Sequence, residues 1–164
     1  MQTTEVRIRR VSIVSNKPFE EILQKLTANI GHPDMQAFHY AIIAAADFVE
    51  MEKFVQRVVG SSNLMEFARY DAGEVLRKER GGDNPKILRL VVGNPVIMRE
   101  MAKSVPEAAA YAPVTILIDE RADGVHLSYD LMESLLASYG SEAALEVARE
   151  LDEKIERLLE LASQ

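Results

Sequence analysis

The chain contains no cysteine. That absence excludes disulfides, iron–sulfur clusters, thiolate zinc sites, covalently attached haem and thiol nucleophiles together. Long apolar runs are missing too. The longest candidate, Ala41-Ile-Ile-Ala-Ala-Ala46, falls far short of the ~20 residues that a membrane-spanning helix needs, so no membrane partner is expected. Met1-Gln-Thr-Thr-Glu5 has no apolar stretch behind a basic start, which predicts no signal peptide and a cytoplasmic protein.

Positive charge is scarce. Nineteen Lys and Arg stand against 26 Asp and Glu, giving a net charge of −7. A nucleic-acid surface needs a clustered positive field, so none is expected. The one basic cluster, Arg7, Arg9 and Arg10, fits a solvated strand edge better than a phosphate track. Histidine is limited to His32, His39 and His126. A His/Asp metal site can be drawn around His32, Asp34 and His39, but zinc wants three or four converging ligands and this spacing fixes no convergence. No metal and no cofactor are expected, and His126, alternating with apolar neighbours, is expected to face solvent. Gly-rich phosphate loops, nucleophile elbows and paired-carboxylate motifs are also missing.

What remains is a single domain of ordinary size: 164 residues, 48% hydrophobic and 27% charged. Its most informative stretch is Lys86-Ile-Leu-Arg-Leu-Val-Val-Gly-Asn-Pro95. The nearly continuous aliphatic run predicts a strand buried on both faces. It ends at Gly93; Asn94 can cap a helix and Pro95 fits the first helical position. A strand running into a capped helix presents free N–H groups, which either hold an anion or simply make a corner.

Val6 to Ser15 predicts a first strand, with a bulge where its apolar phase shifts across Arg9 and Arg10. Helices follow from Pro18 to Gly31, behind an Asp34 cap, and from the capping-box spacing Asp47-Phe-Val-Glu50 to Gly60. Leu64 to Tyr70 predicts the second strand, Asp71-Ala-Gly73 a turn, and Arg80 to Pro85 a polar loop. Pro106 and Pro113 bracket a single helical turn. Residues 114–129 alternate as a hairpin around Arg121-Ala-Asp-Gly124. Asp130-Leu-Met-Glu133 has capping-box spacing for a short helix ending near Gly140. Ser141 to Gln164 is a strong helix whose stripe of Ala144, Ala148, Leu151, Ile155, Leu158 and Ala162 either covers the sheet or forms a seam with a second subunit.

Phe67-Ala-Arg-Tyr-Asp71, the Leu-Val-Val-Gly-Asn-Pro corner, Pro106-Glu-Ala-Ala-Ala-Tyr-Ala-Pro113 and Asp123-Gly-Val-His-Leu-Ser-Tyr129 together resemble the domain-of-unknown-function 302 family, most strongly over residues 66–129. The resemblance implies a compact, often dimeric α+β domain of bacteria and archaea whose biochemical role is not established. Two departures stand out. Family members often carry His where this chain has Ala72, and Gly-Thr where it has Met98-Arg99.

The expected fold is one α+β domain with a mostly antiparallel sheet of about five strands packed by helices, in the order β-α-α-α-β-β-α-β-β-α-α. The family-like core spans about 5–130 and a C-terminal helical segment 131–164. The leading functional expectation is non-catalytic binding of a small anionic ligand at the strand-to-helix corner. Gly93, Asn94, Val96 and Ile97 would surround it, with Arg69, Tyr70 and Asp71 as side-chain partners if their strand is a neighbour; otherwise Arg69 and Asp71 simply tidy a turn. No catalytic residue is assigned. The alternative is a homodimer or interaction module built on the C-terminal helix, and an enzyme of unknown class comes third.

Overall fold

The computed structural model describes residues 3–80 and 86–164; the polar loop expected from Arg80 to Pro85 falls almost wholly outside the described residues. Five strands, β1 (Arg10–Ser15), β2 (Met65–Asp71), β3 (Ile87–Gly93), β4 (Val114–Arg121) and β5 (Gly124–Asp130), form one antiparallel sheet in the order β1-β5-β4-β3-β2. Helices α1 (Phe19–Ala28), α2 (Met35–Ala44) and α3 (Phe48–Val58) lie between β1 and β2. α4 (Ala72–Arg80) follows β2, α5 (Pro95–Ala102) and α6 (Ala108–Tyr111) follow β3, and α7 (Met132–Leu136) and α8 (Glu142–Ser163) close the chain. The protein is a single-domain α+β fold. Among the described residues, no helix is long and apolar enough to cross a membrane.

The core lies on one face of the sheet. Leu88, Leu90 and Val92 of β3, Ile116 and Ile118 of β4 and Leu127 of β5 pack with Ile22 and Leu26 of α1, Met101 of α5 and the α8 stripe. That stripe is buried within the subunit, so it is not free to form the seam considered above. A smaller cluster of Phe38, Val55 and Met65 joins α2 and α3 to the start of β2.

Directly paired residues of an antiparallel ladder share a face. The register therefore draws one row across the whole sheet, Tyr70–Arg89–Leu117–Ser128–Ser12, on the side away from the core. Here the expectation of a doubly buried strand fails. Leu88, Leu90 and Val92 are buried, Ile87 and Val91 only half-buried, and Arg89 is exposed. No residue of that row belongs to the main core cluster, and each is half-buried or exposed.

Other departures have local causes. β1 begins at Arg10 and pairs with β5 without a bulge, because β5 ends at Asp130 and residues before Arg10 meet α7 instead, with the Arg9 N–H donating to Ser134 Oγ at 3.0 Å. The irregularity lies in β2, between Glu66 and Ala68. The expected turn at Asp71-Ala-Gly73 opens α4: Asp71 Oδ1 accepts from the Glu74 N–H at 2.9 Å and caps a helix whose large apolar residues, Val75 and Leu76, stay exposed. At α3, Asp47 caps as expected, but Glu50 reaches back to the Ala46 N–H rather than closing the box on Asp47. The hairpin forms as expected, and at Gly124 (φ 135°) a Cβ would sit 2.7 Å from the Ser15 carbonyl oxygen, so only glycine fits.

α7 is capped from a distance. Asp130 is not its cap, because its carboxylate faces Arg10, and Leu131 at the cap position has no side-chain acceptor. Asp152 of α8 supplies it, accepting from the Met132 N–H at 2.7 Å, the Glu133 N–H at 3.0 Å and the Tyr129 hydroxyl at 2.6 Å.

Candidate functional site

The corner after β3 is built as expected and then closed. Asn94, only 4% exposed, accepts from the Val96 N–H at 2.8 Å, and its amide donates to the Asn63 carbonyl at 3.0 Å. Its own carbonyl takes the Met98 N–H. A Cβ at Gly93 would lie 3.0 Å from Pro113 Cβ, so glycine is what lets Pro113 pass against the turn. Val96 packs onto the Phe38 cluster, and Ile97 onto the main core. Of the two donors that an anion would use, the Val96 N–H is spent on capping, and the side chains of Val96 and Ile97 are both committed to packing.

Arg69, Tyr70 and Asp71 do not gather at this corner. β2 and β3 are neighbours, but antiparallel: Gly93 pairs with Met65, while Asp71 pairs with Leu88 at the other end. Arg69 is held by Glu66 at 2.8 and 3.0 Å, which raises its pKa despite burial. Asp71 caps α4 and pairs with Arg77 at 2.7 Å, and that hydrogen bond holds its carboxyl below the usual carboxylate range. The expected polar cluster is thus two local ion pairs, with Tyr70 left over.

Tyr70 points to the site the sequence pattern missed. Its ring lies 5.8 Å from the guanidinium carbon of Arg89, across the uncovered sheet face. Arg89 Nε and Nη2 donate to Thr115 Oγ1 at 3.3 and 3.2 Å, and no carboxylate lies within ion-pair distance of it among the described residues. It borders a hollow of about 400 Å³ whose floor includes Thr115, Leu117 and Ser128 and whose walls include Tyr111, Pro113 and Arg10. Arg10 is already neutralised, its Nε and Nη2 meeting Asp130 at 2.5 and 2.9 Å, and this raises its pKa. The Tyr129 hydroxyl faces away toward Asp152, where burial and the carboxylate raise its pKa, and the Tyr111 hydroxyl lies 3.1 Å from that of Tyr139. Every charged group of the hollow except Arg89 therefore has its partner. The signal was in the sequence: one charged residue in the middle of an aliphatic strand.

The histidines stand apart from the hollow. His32 faces the Thr27 carbonyl at 2.9 Å and Glu66 at 3.5 Å. His126 is not solvent-facing as expected; its side chain is 13% exposed and pairs with Asp123 at 2.8 Å, beside the hairpin turn.

The sequence model of the family described as "Domain of unknown function DUF302" matches residues 40–162. The chain belongs to the DUF302 family. The match extends well past the 66–129 segment that carries the visible motifs, taking in α3 and most of α8. A solved structure of an uncharacterized conserved DUF302 protein from Bacillus stearothermophilus superposes with a TM-score of 0.64, covering 93% of this chain and 97% of that one at 9% identity. The fold is shared where the sequence has diverged almost completely. No curated protein matches the sequence. Ala72, where the resemblance implies His, begins α4, and Met98-Arg99, where it implies Gly-Thr, lies within α5, with the Arg99 guanidinium carbon 3.8 Å from the Phe48 ring centroid.

Proposed function

We propose that this DUF302 protein binds a small organic anion on the uncovered face of its sheet, with Arg89 as the anchor. One observation carries the reading: a guanidinium held, among the described residues, only by a hydroxyl and a ring face borders a hollow large enough for a ligand. An incoming carboxylate or phosphate would exchange long bonds to a neutral hydroxyl for shorter bonds to an anion. The expectation of anion binding is kept and its place moves, because Asn94 already takes the Val96 N–H at the corner while Arg69 and Asp71 are engaged with Glu66 and Arg77. Titration with acetate and phosphate, followed by amide shifts, tests it. Shifts at Thr115, Leu117 and Ser128 that Arg89→Gln abolishes support the reading. Shifts confined to Val96 and Ile97, or to Arg7 through Arg9, refute it.

A second reading, a homodimer, is favoured by α2 rather than the C-terminal helix. Residues 35–46 carry no Asp, Glu, Lys or Arg, yet α2 leaves Tyr40 64% and Ile43 81% exposed. Two copies that each carry −7 approach best through an uncharged face, so the occupant is a second copy of this chain. Light scattering at micromolar concentration should give twice the 18.3 kDa chain mass, reduced to a single mass in Ile43→Lys. A monomer mass for the unaltered chain refutes it.

A further inference from the structure

We infer that the ligand of the sheet-face hollow is a monocarboxylate with an apolar body, aryl or short alkyl, rather than a phosphate or a polycarboxylate. This rests on the anion-binding reading above and adds the chemical class.

Charge sets the first limit. The hollow's lining holds two guanidiniums and one carboxylate, and the carboxylate of Asp130 already cancels Arg10. One positive charge remains, at Arg89. A dianion or trianion would leave negative charge uncompensated beside Asp130 in a chain that is already at −7.

Shape sets the second. The guanidinium presents Nε and Nη2 together toward Thr115, the edge that accepts a planar carboxylate in two parallel bonds. Thr115 Oγ1 then becomes free to donate to the same carboxylate. Tyr70 stacks on the guanidinium and holds its plane.

The third limit is the rest of the hollow. A carboxylate alone fills a small part of about 400 Å³. Leu117 sits directly beside Arg89 in the sheet register, and Pro113, Tyr111 and Leu135 add further apolar surface. Leu117 is a half-buried aliphatic side chain outside the core cluster, so a ligand's apolar body would complete its burial.

The experiment compares benzoate, hexanoate, acetate, phosphate and citrate on the full chain at constant ionic strength, by calorimetry and amide shifts. Benzoate or hexanoate should bind at least about tenfold more tightly than acetate, as burial of an apolar body implies. Arg89→Gln should weaken either by about ten- to a hundredfold, the range for a charge-assisted bond. Leu117→Thr, which places a strand-favouring β-branched residue there, should weaken benzoate and leave acetate unchanged, with thermal melts to check that both variants fold. Benzoate binding no better than acetate, or citrate or phosphate binding more tightly at Thr115 and Ser128, overturns the monocarboxylate class while anion binding stands. If no anion shifts the residues of the hollow, both fall.

Discussion

Asp152→Ala should unfold the region where α7 meets α8 more readily than any change of similar size on the surface. The carboxylate is 6% exposed and serves three donors: the Tyr129 hydroxyl and the N–H groups of Met132 and Glu133. Truncation leaves all three without an acceptor, and each buried donor left unsatisfied costs about 1–3 kcal/mol. Allowing water to reach the half-covered Glu133 amide, the loss is about 3–6 kcal/mol, against a total stability of about 5–15 kcal/mol. Tyr129→Phe removes one of the three bonds and leaves the two backbone donors served, so it should cost about 1–2 kcal/mol. Urea denaturation followed by circular dichroism measures both, and the double variant should cost less than the sum because the two share a bond.

Hydrogen exchange at Met132 and Glu133 should speed up in Asp152→Ala and hardly change in Tyr129→Phe. Burial raises the Asp152 pKa above the ordinary 3.8, with the Tyr129 hydrogen bond opposing it. The folded state therefore takes up this proton more readily than the unfolded one. The stabilising contribution is full below pH 3.8 and is lost as pH rises through the folded value. The stability of the unaltered chain relative to Asp152→Asn should accordingly fall across that rise. An Ala variant within about 1 kcal/mol of the unaltered chain would refute the remote-cap account, and an advantage over Asn that grows with pH would refute the raised pKa of Asp152.

Three further outcomes are expected. Gly124→Ala should cost about 2–4 kcal/mol by urea denaturation, since it forces a Cβ to 2.7 Å from the Ser15 carbonyl oxygen at a φ of 135°. Asn94→Ala should cost about 2–3 kcal/mol, combining a lost α5 cap with orphaned groups on Asn63, and should not change anion affinity in the hollow. Tyr111→Phe should return the Tyr139 phenol from about 12 toward its ordinary 10, read by ultraviolet titration, because the Tyr111 hydroxyl chiefly holds it up.

Much of the fold was legible because its patterns are local. Period-two alternation gave residues 114–129 as a hairpin, the Asn94-Pro95 pair gave the start of α5, and the three-four spacing from Ala144 to Ala162 gave α8. What was not legible depends on contacts distant in sequence. The only large apolar residues of α4, Val75 and Leu76, are both exposed, so it joins no core stripe and its start depends on Asp71 capping. The cap of α7 comes from a residue twenty positions away, while the nearby Asp130-to-Glu133 spacing imitates a capping box whose members are engaged elsewhere. A capping box identifies residues able to cap; it says nothing of competing partners such as Arg10 and Arg9.

The candidate site was hidden for a related reason. The aliphatic run from Ile87 to Val92 suits a strand buried on both faces, and under that assumption Arg89 is an anomaly to be passed over. Attention then moves to the end of the run, where the Gly93-Asn94 corner offers a familiar geometry. An antiparallel sheet relaxes the assumption, since one face can stay uncovered, and β3 needs only Leu88, Leu90 and Val92 for the core. The other parity then carries whatever the uncovered face requires. There the strand places Ile87, Arg89 and Val91, a cation between two aliphatics, and the neighbouring strands add Leu117, Thr115 and Tyr70 around it. The same register that separates Arg69 and Asp71 from the corner sets Tyr70 beside Arg89. Pairing direction, which no single strand encodes, decides which of those residues can share a ligand.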